Sequence, residues 1–465
     1  MLDLLDEPAV SRVLAEALRS GGDFAELFVE DRRSSSARLD DGRVEELTSG
    51  RDRGAGIRVV RGETTGFAHT SDLTEGGLRA AAAAAGAAAR GGGEGVREVE
   101  VARRRPERPS PAQVLPEDVP KATKVDLLKR AEDAARSLDG TIRQVAVTYG
   151  DGRRRILVAN SDGLLAGDDQ VRTRLGVSVV ASSEGVLQTG YETTGGTVGF
   201  EIYERVQVED VARVAARRAV DLLKARPAPS GTLPVVLRRG AGGVLFHEAC
   251  GHGLEADLVG RDASVFRDKV GTQVASPLVT LVDDGTYGQE WGTYAVDDEG
   301  NEARRNTLIH EGELTDYMWD SLRARKEGRE SSGNGRRQSY QHLPMVRMTN
   351  TYVLAGEEDP DEIIRQTPYG IYCVQLGGGQ VNTATGDFVF GMTEAYLIEQ
   401  GEVTVPLRAA NLIGNGPDVL RSIDAMGHDF ETWAGTCGKD GQGVPVSSGQ
   451  ATLRVTGMTV GGTGG

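Results

Sequence analysis

Cysteine is scarce in this sequence. Its 465 residues include only three cysteines, Cys250, Cys373 and Cys437, and they lie far apart. An odd number of cysteines leaves no complete disulfide framework, which indicates a reducing compartment. In such a compartment a cysteine is more often buried, reactive or bound to a metal than bridged. We therefore predict a cytoplasmic protein.

Positive charge and long apolar runs are also in short supply. The chain has 53 Lys and Arg against 69 Asp and Glu, a net charge of −16, which disfavours binding to nucleic acids or anionic membranes through bulk charge. The most apolar stretch, Ala80–Ala89, is broken by Gly86 and is too short to span a bilayer. Residues Met1–Glu7 include Asp3, Asp6 and Glu7 and have no basic segment followed by an apolar run, so no secretory signal is expected. We predict no nucleic-acid partner and no membrane partner.

Aromatic residues make up only 5% of the chain, whereas 63 residues are glycine. This composition indicates many turns and close backbone approaches rather than a tight helical bundle. A chain of this length exceeds the usual size of one hydrophobic core, so two domains are expected. The best candidate boundary is the proline-rich segment 227–234. We therefore predict an amino-terminal domain over residues 1–229 and a carboxyl-terminal domain over residues 230–465.

The two halves differ in their patterns. In the first half, helix-like segments such as Pro8–Arg19 alternate with strands joined by turn signals, among them Asp41-Gly42 and Asp151-Gly152. This pattern predicts helices beside an antiparallel sheet. Strand-like runs dominate the second half, which has one short helix just past the boundary. The predicted fold class is therefore α+β, with an α/β amino-terminal domain and a mainly β carboxyl-terminal domain.

That short helix contains the motif His247-Glu248-Ala249-Cys250-Gly251-His252. In the familiar H-E-x-x-H helix, two histidines four residues apart share one face and one metal ion. Here the spacing is five residues, and at about 100° per residue the imidazoles would lie about 140° apart on a regular α-helix. Gly251 allows the helix to end or bulge at this point, because glycine accepts conformations that other residues avoid. We predict a metal-binding helix with a broken or π-type end that brings His252 round to His247.

A zinc site with an open catalytic position needs a third protein ligand. Cys437 is the strongest candidate, because it lies in a polar, glycine-rich segment predicted to be a loop, where a purely structural cysteine has little apolar surface to pack against. The neighbouring Lys439 would favour its thiolate. Three alternatives remain open. Cys250 belongs to the same helix and Cys373 to an apolar strand, so both are more simply core residues, and His428 is a further possible ligand.

Glu248 adjoins the first histidine and would lie beside a metal-activated water. Zinc lowers the pKa of such a water to about 7, so a nearby carboxylate can take its proton and later deliver it to a leaving amine. The motif therefore predicts metal-assisted hydrolysis with Glu248 as general base. Glu255 and Asp257 follow shortly after. Either could orient a ligand imidazole, although solvated surface positions are the simpler interpretation.

The sequence resembles the TldD/PmbA family of zinc metallopeptidases, in particular its catalytically active TldD branch. The resemblance extends over nearly the whole chain and is strongest in the second half. The segments that carry it are His247–Asp257, Gly333–Asn350, Gly378–Tyr396, Leu412–Gly416 and Thr436–Gln450. The resemblance implies zinc ligands at His247, His252 and Cys437 and a catalytic glutamate at Glu248. The silent branch of the family lacks these metal-binding residues.

By this resemblance, the protein is expected to be a cytoplasmic Zn²⁺-dependent protease that hydrolyses unfolded peptides. Family members typically pair an active subunit with a silent TldE/PmbA-like subunit, so a partner of that kind or a homodimer is expected. The substrate would thread into an enclosed site and bind as an added β-strand. Weaker candidates for lining that channel are Gly377, Gly378, Gly379, Asn334 and Tyr340. Two alternative functions are a silent peptide-binding subunit and a zinc hydrolase of a non-peptide amide.

Overall fold

The computed structural model of the protein describes residues 4–89, 99–104, 106, 111–408 and 410–462. The α-helices of the first half are α1 (Glu7–Leu18), α2 (Glu75–Ala88), α3 (Lys121–Arg136), α4 (Ile202–Arg205) and α5 (Val208–Leu222). The strands are β1 (Phe24–Asp40), β2 (Arg43–Arg61), β3 (Thr64–Thr70), β4 (Ala102–Arg103), β5 (Ile142–Asn160), β6 (Leu164–Ser183), β7 (Val186–Gly196) and β8 (Arg226–Pro227). A 3₁₀ helix, Pro116–Asp118, precedes α3.

A seven-stranded sheet forms the centre of the first half, with the order β3-β2-β1-β5-β6-β4 and with β7 paired to β6. The predicted turn at Asp41-Gly42 is confirmed, because both residues have positive φ, 50° and 79°, and join β1 to β2. The predicted turn at Asp151-Gly152 is wrong. These residues lie inside β5, where they pair with β1 on one side and with β6 on the other. Pairing along both edges keeps the chain extended despite the local turn signal.

Two pairs of helices pack on this sheet. α1 begins after Asp6, whose side chain accepts a hydrogen bond of 2.7 Å from the Ala9 N–H, and Pro8 lies in its first turn. Helices α1 and α2 form one core with the beginning of β1, and α3 and α5 form another near its end. The apolar residues of α1 are buried as helical spacing predicts: Val10, Val13, Leu14 and Leu18. The predicted arrangement of helices beside an antiparallel sheet is confirmed.

The second half consists mainly of strands. They are β9 (Gly231–Leu237), β10 (Leu281–Asp284), β11 (Arg305–His310), β12 (Glu313–Leu314), β13 (Gly335–Arg336), β14 (Met345–Val346), β15 (Asn350–Val353), β16 (Tyr369–Val381), β17 (Asp387–Glu399), β18 (Glu402–Arg408), β19 (Ala410–Asn415), β20 (Ile423–Met426), β21 (Glu431–Lys439), β22 (Gln442–Gln450) and β23 (Leu453–Gly462). The α-helices are short: α6 (Gly243–Phe246), α7 (Ala256–Val259), α8 (Ser321–Lys326), α9 (Pro360–Arg365) and α10 (Gly416–Arg421).

These strands form two main sheets and the small pair β13–β14. One sheet has six strands in the order β12-β11-β10-β15-β22-β21. In the other, β16, β9, β23, β19 and β17 pair in a closed ring, because β17 also pairs with β16, and β18, β20 and β8 extend it. The main apolar core contains residues of both sheets together with Phe246, Cys250 and Leu254 of the helical segment after β9.

Helix α6 lies directly on β22. A Cβ at Gly243 would be 2.7 Å from the backbone nitrogen of Gly449, so only glycine permits this close approach. β22 pairs along its whole length with β21. The helix that precedes His247 and the strand that contains Cys437 are thereby fixed to the same sheet.

The fold class is α+β, as predicted. The division at residues 229 and 230 stays a prediction. It falls between β8 and β9, and β8 pairs with β18 of the second half. Buried ion pairs also join the halves, since one guanidinium nitrogen of Arg58 lies 2.8 Å from Glu26 and 2.7 Å from Glu299. None of the helices in the described residues combines the length and hydropathy needed to cross a membrane.

Candidate metal centre

The helix that carries the motif changes its pitch at His247. α6 ends at Phe246, and His247–Gly251 form a π-helical turn, followed by a 3₁₀ turn over His252–Leu254. The His252 N–H donates to the His247 carbonyl, an i+5 hydrogen bond that stacks one residue over the other. Their ring centroids lie 5.2 Å apart, with the planes at 84°. The predicted π-type helix end is confirmed, and it brings both imidazoles together.

The glycines of the motif provide space rather than unusual backbone angles. Gly251 has φ −57°, an ordinary right-handed value, so the conformational freedom invoked in the prediction is not used. A Cβ at Gly251 would lie 2.1 Å from the Met348 sulfur, and one at Gly253 would lie 2.8 Å from the Phe266 ring. The turn therefore fits into the core of the second half only because these side chains are absent.

Cys437 approaches the two histidines from β21. It lies in a strand and not in the predicted loop, because the chain turns only afterwards, at Asp440-Gly441, where φ is 48° and 74°. Its Sγ lies 3.5 Å from Nε2 of His252. The donor atoms of His247, His252 and Cys437 lie within 4.8 Å of one another, and all three residues are buried. Both ring nitrogens of His247 are buried without a hydrogen-bond partner, which is costly unless a ligand engages one of them.

This donor set fits a zinc ion. Tetrahedral zinc, with bonds of about 2.0–2.1 Å to nitrogen and about 2.3 Å to sulfur, separates the two donors by about 3.6 Å. The distance from His252 Nε2 to Cys437 Sγ, 3.5 Å, matches this value. Three protein donors also leave a fourth position open, as in catalytic zinc sites.

The charges around Cys437 favour its thiolate, which is the form that binds metals. Burial alone would raise the pKa of the Cys437 thiol. His247 and His252 outweigh burial and hold this pKa well below its ordinary value. From the sequence, Lys439 was expected to stabilise the thiolate. Its ammonium instead forms ion pairs with two carboxylates, those of Glu255 and Asp257.

A buried network of charges supports His252 from the side opposite Cys437. Glu255 Oε2 lies 2.9 Å from His252 Nδ1 and 2.9 Å from Lys439 Nζ, and Nζ lies 2.8 Å from Asp257 Oδ1. Burial opposes ionisation of Glu255, yet His252 and Lys439 lower its pKa to about 2. The interpretation of Glu255 and Asp257 as solvated residues is wrong, because they are 0% and 4% exposed. With Nδ1 engaged by Glu255, Nε2 is the nitrogen that faces Cys437.

Glu255→Gln is expected to weaken zinc binding about 10- to 100-fold, because the carboxylate that orients His252 and raises its basicity is lost. Competition with a chromophoric chelator measures the affinity. Asp257→Asn is the matched control, since Asp257 pairs with Lys439 rather than with His252, and it should change the affinity much less. Equal losses in both variants would contradict a specific role of Glu255 in orienting the imidazole.

Glu248 lies at the open side of the centre. Its side chain is 29% exposed, and Oε2 lies 3.7 Å from Nε2 of His252. This distance is too long for a direct hydrogen bond. A carboxylate that is close to the donor atoms and still in contact with solvent can take a proton from a water molecule at the centre.

The alternative ligands lie elsewhere. Cys250 and Cys373 are part of the apolar core, and burial raises the pKa of both thiols. His428 is exposed and its backbone N–H donates to the Glu358 carbonyl. Of the cysteines and histidines considered from the sequence, the structure therefore brings His247, His252 and Cys437 together and leaves the other three apart.

The three glycines proposed for the channel lie in β16. Gly377 and Gly378 line a cavity of about 370 Å³ that Val244 of α6 and Gly435 of β21 also line. Gly379 makes room for a core side chain, since its Cβ would lie 2.1 Å from the ring of Phe390. The first two glycines are thus close to both elements that carry the donor residues.

Asn334 and Tyr340 have internal contacts instead. The Asn334 side chain is fully buried and donates to Asp283 at 2.7 Å and to the Arg347 carbonyl at 3.0 Å. Tyr340 is also buried, and its hydroxyl donates to Asp52 of β2 at 3.2 Å. The structure does not bring these two side chains to the donor cluster.

Arg347 is a residue of the site that the sequence analysis missed. Its guanidinium is fully buried and donates to the carbonyl of Cys437 at 2.5 Å and to the carbonyl of Gln442 at 3.2 Å. It therefore holds both strands of the β21–β22 hairpin and fixes the backbone at Cys437. The only signal in the sequence was an arginine within the apolar run Met345–Met348, which does not reveal its partners.

Comparison with known proteins gives matches along most of the chain. Three models of the PmbA/TldA metallopeptidases match: domain 1 over residues 25–89, the central domain over residues 115–223 and the C-terminal domain over residues 230–462. A metalloprotease TldD homolog of Haemophilus influenzae is 40% identical over 459 residues, covering 95% of this chain and 93% of the relative. A zinc metalloprotease TldD homolog of Saccharolobus solfataricus is 26% identical, covering 97% and 99%.

Two solved structures share the fold. A putative modulator of a DNA gyrase from Thermotoga maritima superimposes with a TM-score of 0.81 at 22% identity, covering 98% of this chain and 100% of that one. TldE from Thermococcus kodakarensis gives a TM-score of 0.79 at 18% identity, with the same coverage. Sequence and fold agree, and the chain belongs to the TldD/PmbA family of metallopeptidases.

Proposed function

We propose that this protein is a zinc-dependent peptidase of unfolded peptides, with His247, His252 and Cys437 as the zinc ligands and Glu248 as the general base. One observation carries the proposal: three buried donor atoms from two distant segments converge beside a carboxylate that is open to solvent. The metalloprotease names of the relatives support the reaction class, and the relative named a zinc metalloprotease supports the metal.

Each residue of the site has a separate role in the proposed reaction. Zinc at these donors would polarise the peptide carbonyl and lower the pKa of the attacking water to about 7. Glu248 takes a proton from that water and delivers it to the leaving amine. Glu255 holds His252 with Nε2 toward the centre, and Arg347 holds the backbone of Cys437.

The position of β21 supports an extended peptide as the substrate. In the described residues β21 is the terminal strand of its sheet and pairs with β22 alone, so its outer edge has free backbone groups. Trp433, Ala434 and Gly435 of this strand line the cavity that contains Gly377 and Gly378. A peptide that adds to this edge is bound through its main chain, which requires it to be unfolded.

The proposal includes a cytoplasmic location and a partner subunit, either a TldE-like chain or a second copy of this chain. The location is supported by the three cysteines, all of which are free. The partner is supported by the fold shared with TldE. The complete set of donor residues argues against the alternative of a silent peptide-binding subunit.

Cleavage by the zinc-loaded, purified chain tests this function. We expect it to cleave a chemically unfolded protein but not the same protein in its folded form. Chelation should abolish cleavage, and stoichiometric zinc should restore it. A simple acylated amine serves as the non-peptide amide for comparison. Cleavage that persists without metal, or that is confined to the non-peptide amide, would overturn the proposal.

A further inference from the structure

An arginine-rich cavity of about 550 Å³ lies between the first sheet and the β21–β22 hairpin. Residues of β5, β6 and β7 line one side. The segment Arg336–Gln338 and the hairpin residues Thr436 and Pro445 line the other side. Thr436 directly precedes Cys437 in β21, so the cavity adjoins the strand that contributes the sulfur of the metal centre.

The lining of this cavity has a large excess of positive charge. Seven arginines line it, but only two carboxylates, Asp151 and Asp298. Both carboxylates already form ion pairs, Asp151 with Lys124 at 2.6 Å and Asp298 with Arg154 at 2.8 Å. Little negative charge remains inside the cavity for the other arginines.

Four of the seven arginines form no ion pair within the described chain: Arg32, Arg172, Arg174 and Arg336. Arg172 is buried, and its guanidinium donates only to uncharged acceptors, the Trp291 and Thr293 carbonyls and the Gln170 side chain. Burial, followed by repulsion from Arg336 and Arg154, lowers the pKa of Arg172 to about 9. Such cations repel one another unless an anion lies between them.

Two residues of the lining also have buried nitrogen atoms without an acceptor. Arg337 is 1% exposed, and although one of its terminal nitrogens pairs with Glu26, its Nε and Nη1 have no partner. The Trp291 Nε1 is likewise buried and unpartnered. Buried donors of this kind are normally satisfied. The unpaired positive charge in the lining of this cavity points to an anionic ligand.

We propose that this cavity binds a carboxylate of the peptide substrate and so selects peptides with negative charge at a fixed distance from the cleaved bond. The proposal rests on the peptidase function for the identity of the ligand. Guanidinium groups match carboxylates in shape and charge, because two parallel hydrogen bonds can form. The carboxylate belongs either to an Asp or Glu side chain or to the carboxyl terminus of the peptide.

The relative positions of two cavities support a peptide as the source of this carboxylate. The arginine-rich cavity shares Tyr191 with the cavity that contains Gly377 and Gly378. Both are bordered by β21, through Thr436 in the first and Gly435 in the second. A strand added along β21 would therefore run beside both cavities, along the strand that contains Cys437.

Binding of four matched peptides tests the proposal. They are short, unstructured and fluorescently labelled, with either Glu or Gln at the same positions and with either a free or an amidated carboxyl terminus. The protein is the full-length, zinc-loaded Glu248→Gln variant, so that peptides bind without being cut. Fluorescence anisotropy at low salt should show about 10- to 100-fold tighter binding of the peptide with the recognised carboxylate, as expected for a charge-assisted hydrogen bond.

The pattern of binding identifies the source of the carboxylate. Loss of affinity on changing Glu to Gln assigns the cavity to an acidic side chain, and loss on amidation assigns it to the carboxyl terminus. Equal binding of all four peptides overturns the proposal. This measurement needs no turnover, so a failed cleavage test leaves the proposed carboxylate site intact. Successful cleavage without a charge preference removes the proposed site while the peptidase function stands.

Variants place the preference in this cavity. Arg32 is exposed and Arg174 is half-buried, so the double variant Arg32→Gln with Arg174→Gln should fold and keep its zinc. We expect it to lose the preference and to bind all four peptides alike. Arg33→Gln is the control, because Arg33 is the next residue of β1 and pairs with Glu117 outside the cavity. A preference that survives the double variant, or that Arg33→Gln removes equally, would contradict the assignment.

Discussion

Replacing Glu248 by Gln is expected to lower kcat for peptide hydrolysis by about 10²- to 10⁴-fold while the protein keeps its zinc. Gln has nearly the same shape as Glu, so the π turn and the donor residues should be undisturbed. Its amide cannot take a proton from the attacking water. Because Glu248 is not among the three donor residues, the loss should appear in kcat and not in metal content.

Steady-state kinetics with an unfolded peptide and elemental analysis of the same preparation check this result. Asp440→Asn is the matched control, because it makes the same change from acid to amide at an exposed position in the turn of the β21–β22 hairpin. It should leave kcat and zinc unchanged. An unchanged kcat in the Glu248 variant, or a fall that merely follows a loss of zinc, would refute the role of general base.

The motif itself could be predicted because its residues are neighbours in the chain. His247, Glu248 and His252 lie within six residues, and a spacing of five is incompatible with one metal on a regular α-helix. That conflict already predicts a broken or π-type helix end. The reason for Gly251 was not predictable in the same way, since the Met348 sulfur that excludes its Cβ comes from a distant segment.

The burial of the residues behind the ligands could not be predicted from sequence. Charged side chains are normally solvated, so the sequence favours surface positions for Glu255 and Asp257 over contact with a ligand imidazole. They are buried because Lys439, 184 residues further along the chain from Glu255, comes to lie between them. Only the tertiary contact between helix and hairpin supplies the cation that offsets the desolvation cost of a buried carboxylate at this position.

The fold shows the same division between local and non-local information. α1 was predictable because its apolar residues repeat at helical spacing and its cap is adjacent in sequence. The middle of β5 was not, because Asp151-Gly152 is a local turn signal that two neighbouring strands override. A long strand that is paired on both sides is stabilised by strands distant in sequence, and a local pattern does not predict them.

Replacing Cys437 by Ala should lower zinc affinity by at least about 100-fold and abolish hydrolysis with it. Structural zinc in peptides binds with about 10–16 kcal/mol, so one ligand of four contributes about 3 kcal/mol. The two imidazoles come from one short turn, whereas the sulfur comes from a strand 185 residues away from His252. Without this sulfur only two protein ligands remain to coordinate the ion.

Cys373→Ala is the control for this change, since Cys373 is an equally buried free cysteine in the core strand β16. Its loss leaves a small cavity and lowers the free energy of unfolding, but it should not alter zinc stoichiometry or affinity. Elemental analysis and chelator competition on both purified variants separate the two effects. Equal zinc content in the two proteins would mean that the sulfur of Cys437 is not a ligand. The convergence of the three donor residues would then be a feature of the fold and not a catalytic zinc site.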